Sequence, residues 1–118
     1  MICLDTHIVV FTLAGTLSPH EQRAVQEPCA ISAIVLWELA KLVQLGQLTL
    51  DLDSVEFRTL LSTLRVLPVD WPVVSQSTRL DFRSDPADEL IAATAIVHGA
   101  PLLTRDGVIR ASRLVPLV

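Results

Sequence analysis

The chain has 118 residues, a net charge of −4 and 51% hydrophobic residues, with a mean hydropathy of +0.52. That length suits one domain with a sizeable core and the composition excludes a disordered chain, while charges interrupt every apolar run well before the roughly 18 residues that span a bilayer. An isoelectric point near 5.2 argues against a passive basic surface that binds nucleic acid through many phosphate contacts.

MICL, residues 1–4, reads as a short buried strand that ends on Asp5, and the apolar stretch from about Thr6 to Ala14 reads as a helix stopped near Gly15. Ser18, Pro19 and Glu21 give an N-cap, a proline at the first helical position and a capping-box acid, for a helix that ends before Pro28. PCAI (28–31) is the second strand. Ser32 then caps a long apolar helix through IVLWELAKLVQL, closed by Gly46. Asp53 and Glu56 start a helix that runs to about Leu64, RVLPV (65–69) is the third strand, and Pro72 opens a helix towards Leu80. Asp85 is a cap before Pro86, with Asp88 and Glu89 in the first turn of a helix ended by Gly99 and Pro101. PLLT (101–104) reads as the fourth strand and reaches Arg105-Asp106-Gly107, and a last short strand lies near Leu114–Leu117.

Strands alternating with helices imply a mostly parallel sheet covered on both faces, so the fold class is a three-layer α/β/α sandwich with four to five short strands in a single domain, residues 1–118. Asp5 and His7 interrupt the only candidate for a secretory leader, which makes a cytoplasmic location the expectation. Cys3 and Cys29 read as buried thiols, and His7, His20 and His98 lack zinc spacing.

Ligands of such sheets bind beyond the carboxyl ends of the strands, which directs attention to the acids there. Asp5 follows the first strand, Glu38 lies two turns into the helix after the second, Asp88 opens the helix before the fourth, and Asp106 follows the fourth. Acids converging on one rim are hard oxygen ligands for Mg²⁺ or Mn²⁺. Each has a plainer reading: Asp5 and Asp106 as turn residues, Asp88 as a first-turn charge, and Glu38 as a solvated edge or a partner of Lys41.

Together and in order, LDTHIVV (4–10), ISAIVLWELAKLVQLGQLTL (31–50), DPADELIAATAIVHGAPLLTRD (85–106) and VIRAS (108–112) resemble the PIN-domain ribonucleases, in particular the VapC-like toxins of type II toxin–antitoxin systems. The resemblance implies a metal-dependent endoribonuclease, usually a homodimer held inactive by a cognate antitoxin. It places Asp5, Glu38, Asp88 and Asp106 as the acidic site holding one or two Mg²⁺ or Mn²⁺ ions. Thr6, Ser32 and Thr104 fall at supporting hydroxyl positions, with Asp85 a further acid at the rim. Glu89 departs from the pattern, standing where relatives often carry a basic residue, and VVFTLAG replaces a commoner tryptophan-bearing stretch. Without Asp5, Glu38, Asp85, Asp88 and Asp106 the remaining chain carries about +1, compatible with an RNA substrate. Arg79, Arg83, Arg105, Arg110 and Arg113 are the candidates for phosphate contacts.

Two other readings compete. An aspartyl-nucleophile phosphotransferase also starts from an aspartate after the first strand, but it wants a second aspartate where His7 stands and a late lysine, whereas the sole lysine is Lys41. A PIN-like module that binds antitoxin or RNA without turnover is the non-enzymatic alternative.

Overall fold

A computed structural model describes all 118 residues. Its elements are β1 (Ile2–Leu4), α1 (Thr6–Ala14), α2 (Pro19–Ala24), β2 (Cys29–Ser32), α3 (Ala33–Gln44), α4 (Val55–Ser62), β3 (Arg65–Leu67), α5 (Trp71–Ser77), α6 (Pro86–His98), β4 (Leu102–Leu103) and α7 (Gly107–Arg110). All strand pairs are parallel and the sheet order is β3-β2-β1-β4. The chain therefore steps one way from β1 to β3, then returns to place β4 on the other side of β1. With right-handed crossovers, that reversal puts the β1–β2 and β3–β4 connections on opposite faces.

Both inner strands are buried. Cys3, Leu4, Ala30 and Ile31 join Ile8, Val35, Leu39, Ile91 and Leu102 in or against one continuous apolar core. Cys3 and Cys29 are free buried thiols, and burial pushes the Cys3 thiol up to about 12. Helix α6 is buried along much of its length through Ala87, Ile91, Ala92, Ala93, Thr94 and Ala95, because its small side chains let it pack at once against α5, α3 and β2.

Several boundaries differ from the sequence reading. Strand β3 stops at Leu67 because Pro68 offers no N–H to continue a ladder. The fifth strand is reduced to a single bridge between Leu102 and Leu117, next to Pro116, which also lacks a donor. Ser54, not Asp53, caps α4, its hydroxyl accepting from the Phe57 N–H. Asp70 caps α5, which ends at Ser77, where the Ser77 and Thr78 hydroxyls bond back to the Val74 and Ser75 carbonyls. Asp85 occupies the cap position of α6 but makes no capping bond. Asp106-Gly107 is not a plain turn, since it opens α7.

Helix α2 starts as the capping box requires: Glu21 N–H donates to the Ser18 hydroxyl, and Ser18 N–H donates to Glu21 Oε1 at 2.8 Å. The same carboxylate also receives Arg105 from beyond β4, with Nη2 to Oε1 at 2.7 Å and Nε to Oε2 at 2.8 Å. This staple joins residues 84 positions apart. It holds the Glu21 carboxyl down to about 2, chiefly through the Arg105 hydrogen bonds.

Replacing fully buried Ala92 by Leu is expected to destabilise the chain by about 1–3 kcal/mol in urea denaturation, because α6 has no room for three more carbons. The Glu21 pair contributes its full stability above the ordinary glutamate range near 4.3, and that contribution is lost as pH falls towards about 2. The stability gap between the parent and Glu21→Gln is therefore expected to be widest above pH 5 and to narrow steadily on acidification.

Candidate active site

The two strands that flank the topological reversal are each followed by an aspartate that caps the next helix. Asp5 follows β1, and its Oδ1 accepts the Ile8 N–H at 2.9 Å at the start of α1. Asp106 follows β4, and its Oδ1 accepts from Val108 and Ile109 at 2.9 and 3.0 Å at the start of α7. The turn reading and the functional reading are thus satisfied by the same side chains. Parallel pairing of β1 with β4 sets them side by side, and the Thr104 hydroxyl donates to Asp5 Oδ2 across the seam. Asp106 N–H in turn donates to the Thr104 hydroxyl oxygen at 3.0 Å.

A cavity of about 190 Å³ opens at this point, lined by Asp5, Thr6, His7, Phe11, Asp88, Arg105 and Asp106. Asp88 enters from the first turn of α6, with the Ser84 hydroxyl donating to its Oδ2 at 3.2 Å. Glu38 stands behind the cavity wall: the Thr6 hydroxyl donates to its Oε1, which ties α1 to α3. Lys41 does not pair with it, donating instead to Gln44 Oε1 at 2.8 Å.

None of these acids forms a salt bridge, since Arg105, which also lines the cavity, is paired with Glu21. Asp5 is only 8% exposed, and burial pushes its carboxyl above the ordinary range against the pull of the Thr104 and Ile8 bonds. The Asp88 carboxyl is also raised, first by burial and then by the negative charge of Glu38. The side chains surround the cavity without being drawn together, since no three His, Cys, Asp or Glu groups are gathered at ligating distance. One oxygen each of Glu38, Asp88 and Asp106 accepts no hydrogen bond from the chain.

Asp5, Asp88 and Asp106 share the cavity, Glu38 is coupled to it through Thr6, and Thr104 touches Asp5 directly. Ser32 does not: it is fully buried and caps α3, its hydroxyl accepting from the Ile34 N–H at 3.3 Å. Asp85 is exposed outside the cavity, and Ser84 takes the supporting place beside Asp88. Of the arginines, Arg105 lines the cavity and Arg110 donates to the Thr104 carbonyl at 3.2 Å. Arg79 bonds Ser75, and Arg83 lines a separate pocket with Glu89. Glu89 accepts the Ser84 N–H at 3.4 Å and does not line the carboxylate cavity.

Ser84, Phe11 and Glu21 escaped the sequence reading. Ser84 had a signal in the Ser-Asp-Pro helix start. Phe11 and Glu21 had none, because their roles depend on Arg105 reaching them across the fold.

The PIN domain family profile matches residues 2–112. Ribonuclease VapC22 of Mycobacterium tuberculosis is 31% identical over 95% of this chain and 92% of its own. The fold is similar to VapBC2 from Rickettsia felis bound to a DNA fragment from its promoter, at 22% identity and a TM-score of 0.79 over 100% and 98% of the two chains. It is also similar to VapBC-5 from Mycobacterium tuberculosis, a member of the VapBC family of toxin–antitoxin systems, at 28% identity and a TM-score of 0.62 over 93% and 88%. With the family profile running from the first strand to beyond α7, the chain belongs to the PIN-domain family.

Proposed function

We propose that this chain is a Mg²⁺- or Mn²⁺-dependent endoribonuclease, the toxin of a type II toxin–antitoxin pair. The observation that carries the reading is the un-neutralised carboxylate cavity at the β1/β4 reversal. The relative VapC22 bears the name ribonuclease, and the structural neighbour VapBC-5 is a member of the VapBC family of toxin–antitoxin systems. The donor set fits a hard divalent cation, because it consists of carboxylate oxygens held by neutral donors and partly stripped of water.

In this reading Asp5 and Asp88 are the principal ligands for one or two ions, with Asp106 and Glu38 completing the site directly or through water. A bound ion would supply a water of lowered pKa and neutralise charge at the scissile phosphate. The chain's own part is to hold the acids ready. Thr104 and the Ile8 N–H fix Asp5, Thr6 fixes Glu38, and Ser84 fixes Asp88. Their desolvation makes the cation-free state costly, which favours loading.

The partners of this reading are RNA, a cognate antitoxin and a second copy of the chain, in the cytoplasm. Exposed Trp37 and Leu45 on and beside α3 and Trp71 on α5 offer apolar surface for protein contacts. No helix is long and apolar enough to cross a membrane. Glu89, bonded back to Ser84, gives no reason to prefer the inactive binding module.

In an RNA cleavage assay with Mn²⁺, Asp5→Asn and Asp88→Asn are each expected to lower turnover by at least about 100-fold, and a chelator to abolish it until metal is restored. Cleavage that ignores chelation, or survives both substitutions, would overturn the reading. The opposite sign is expected for folding. Metal-free Asp88→Asn should melt a few degrees above the metal-free parent at neutral pH, because the substitution removes a desolvated charge beside Glu38. Added Mn²⁺ should reverse that order by stabilising only the parent.

A further inference from the structure

Arg105 is the one permanent cation lining the carboxylate cavity, and its guanidinium is held on several sides. Nε and Nη2 form the two-point pair with Glu21, Nη2 also reaches the Thr16 carbonyl at 3.2 Å, and the group lies 4.0 Å from the centre of the Phe11 ring. All these hydrogen bonds use the Nε–Nη2 edge, whereas Nη1 donates to nothing in the chain. Glu21 cannot swing to follow it, because Oε1 also accepts the Ser18 N–H that starts α2. The helix start sets Glu21, and Glu21 sets Arg105.

A salt bridge this close to three acids poses a question of competition. An arginine free to move beside Asp5, Asp88 and Asp106 would fold onto them and occupy the oxygens a metal needs. Glu21, with its side chain only 8% exposed, holds the guanidinium on the α2 side instead. Resting on the ribonuclease reading, we propose that Glu21 is a positioning residue: it keeps Arg105 off the acidic site and presents Nη1 to a phosphate oxygen of the RNA. The fork is already ordered before substrate arrives, so little side-chain freedom is lost on binding.

A merely structural staple would have none of these consequences for RNA. The test uses the full chain with a fluorescein-labelled single-stranded RNA of mixed sequence. Affinity is measured in an Asp5→Asn background, where the probe stays intact, between about 50 and 200 mM salt. Adding Arg105→Gln is expected to weaken binding about tenfold and to make the log–log salt slope shallower by about 0.7, one phosphate contact on a single strand. Arg105→Lys should keep the slope, because it keeps the charge.

Turnover is measured separately with Asp5 intact. Arg105→Lys and Glu21→Gln should each lower kcat about tenfold with a smaller change in KM, since charge remains and orientation is lost. Glu21→Gln should also raise the Mn²⁺ concentration needed for half-maximal rate, as the released guanidinium competes for the acids. An unchanged salt slope in Arg105→Gln overturns the proposal, as does an Asp5→Asn protein that fails to bind the probe. So does a Glu21→Gln protein with parental kcat and Mn²⁺ requirement, even if it melts lower. An Asp5-intact parent that cuts no RNA refutes the ribonuclease reading instead, and leaves the binding slope to judge Arg105 alone.

Discussion

A buried aspartate at the seam between two parallel strands is the constraint on which the rest of the structure turns. Asp5 is buried, yet its neighbours are N–H and hydroxyl donors rather than a lysine or arginine. One oxygen starts α1 and the other receives Thr104 from just beyond β4, so the carboxylate joins the two strands at which the sheet changes direction. Removing a carboxylate from water is costly, and neutral hydrogen bonds offset only part of that. Burial accordingly pushes the Asp5 carboxyl above the ordinary carboxylate range. A fold selected for stability alone would place an asparagine or serine there, each of which caps a helix without the charge.

The strands fix one wall, and the remaining acids are brought to it by different devices. Asp88 arrives because α6 is built from alanines, which let that helix lie close to the sheet and to α5. Glu38 arrives because Thr6, next to Asp5 in sequence, reaches across to α3. The Asp5-Thr6-His7 turn therefore contributes three consecutive side chains to the cavity or its wall. A shift of β1 by one residue against β4 would separate Asp5 from Thr104 and reverse which side chains face the core. Site and register are specified together.

Much of this was legible in the sequence because each device has a local signature. Strand-helix alternation, the Ser18–Glu21 capping box and the glycines after α1, α3 and α6 are short-range signals, and the helices lie close to where they point. The four acids could be singled out by their places after strands and on helix turns, although it took the pattern of the whole chain to group them. What stayed hidden is long-range or too short to have a period. Helix α7 has only four residues, while Ser32, legible as the cap of α3, makes that capping bond and not the supporting contact the resemblance implies. Asp85 sat at a cap position, but Ser84 beside it carries the contact to Asp88. Glu21 could be read only as a capping acid, because nothing local announces an arginine 84 residues away.

The acidic balance of the chain takes a different meaning once the charges have positions. Net charge of −4 suggests weak attraction for nucleic acid only if the acids are spread evenly. Here three of them line one cavity with a fourth behind its wall, and that concentration is the condition for attracting a divalent cation. Glu89, which stands where relatives often carry a basic residue, is turned back to Ser84 and accepts its N–H at the start of α6. Glu21 is likewise matched, because its charge is spent on Arg105. Glu21 and Glu89, outside the cavity, therefore serve helix starts, while the acids inside it form no ion pair. In the proposed reading, that arrangement lets an acidic protein offer its cavity to a metal ion and, through it, to a phosphate.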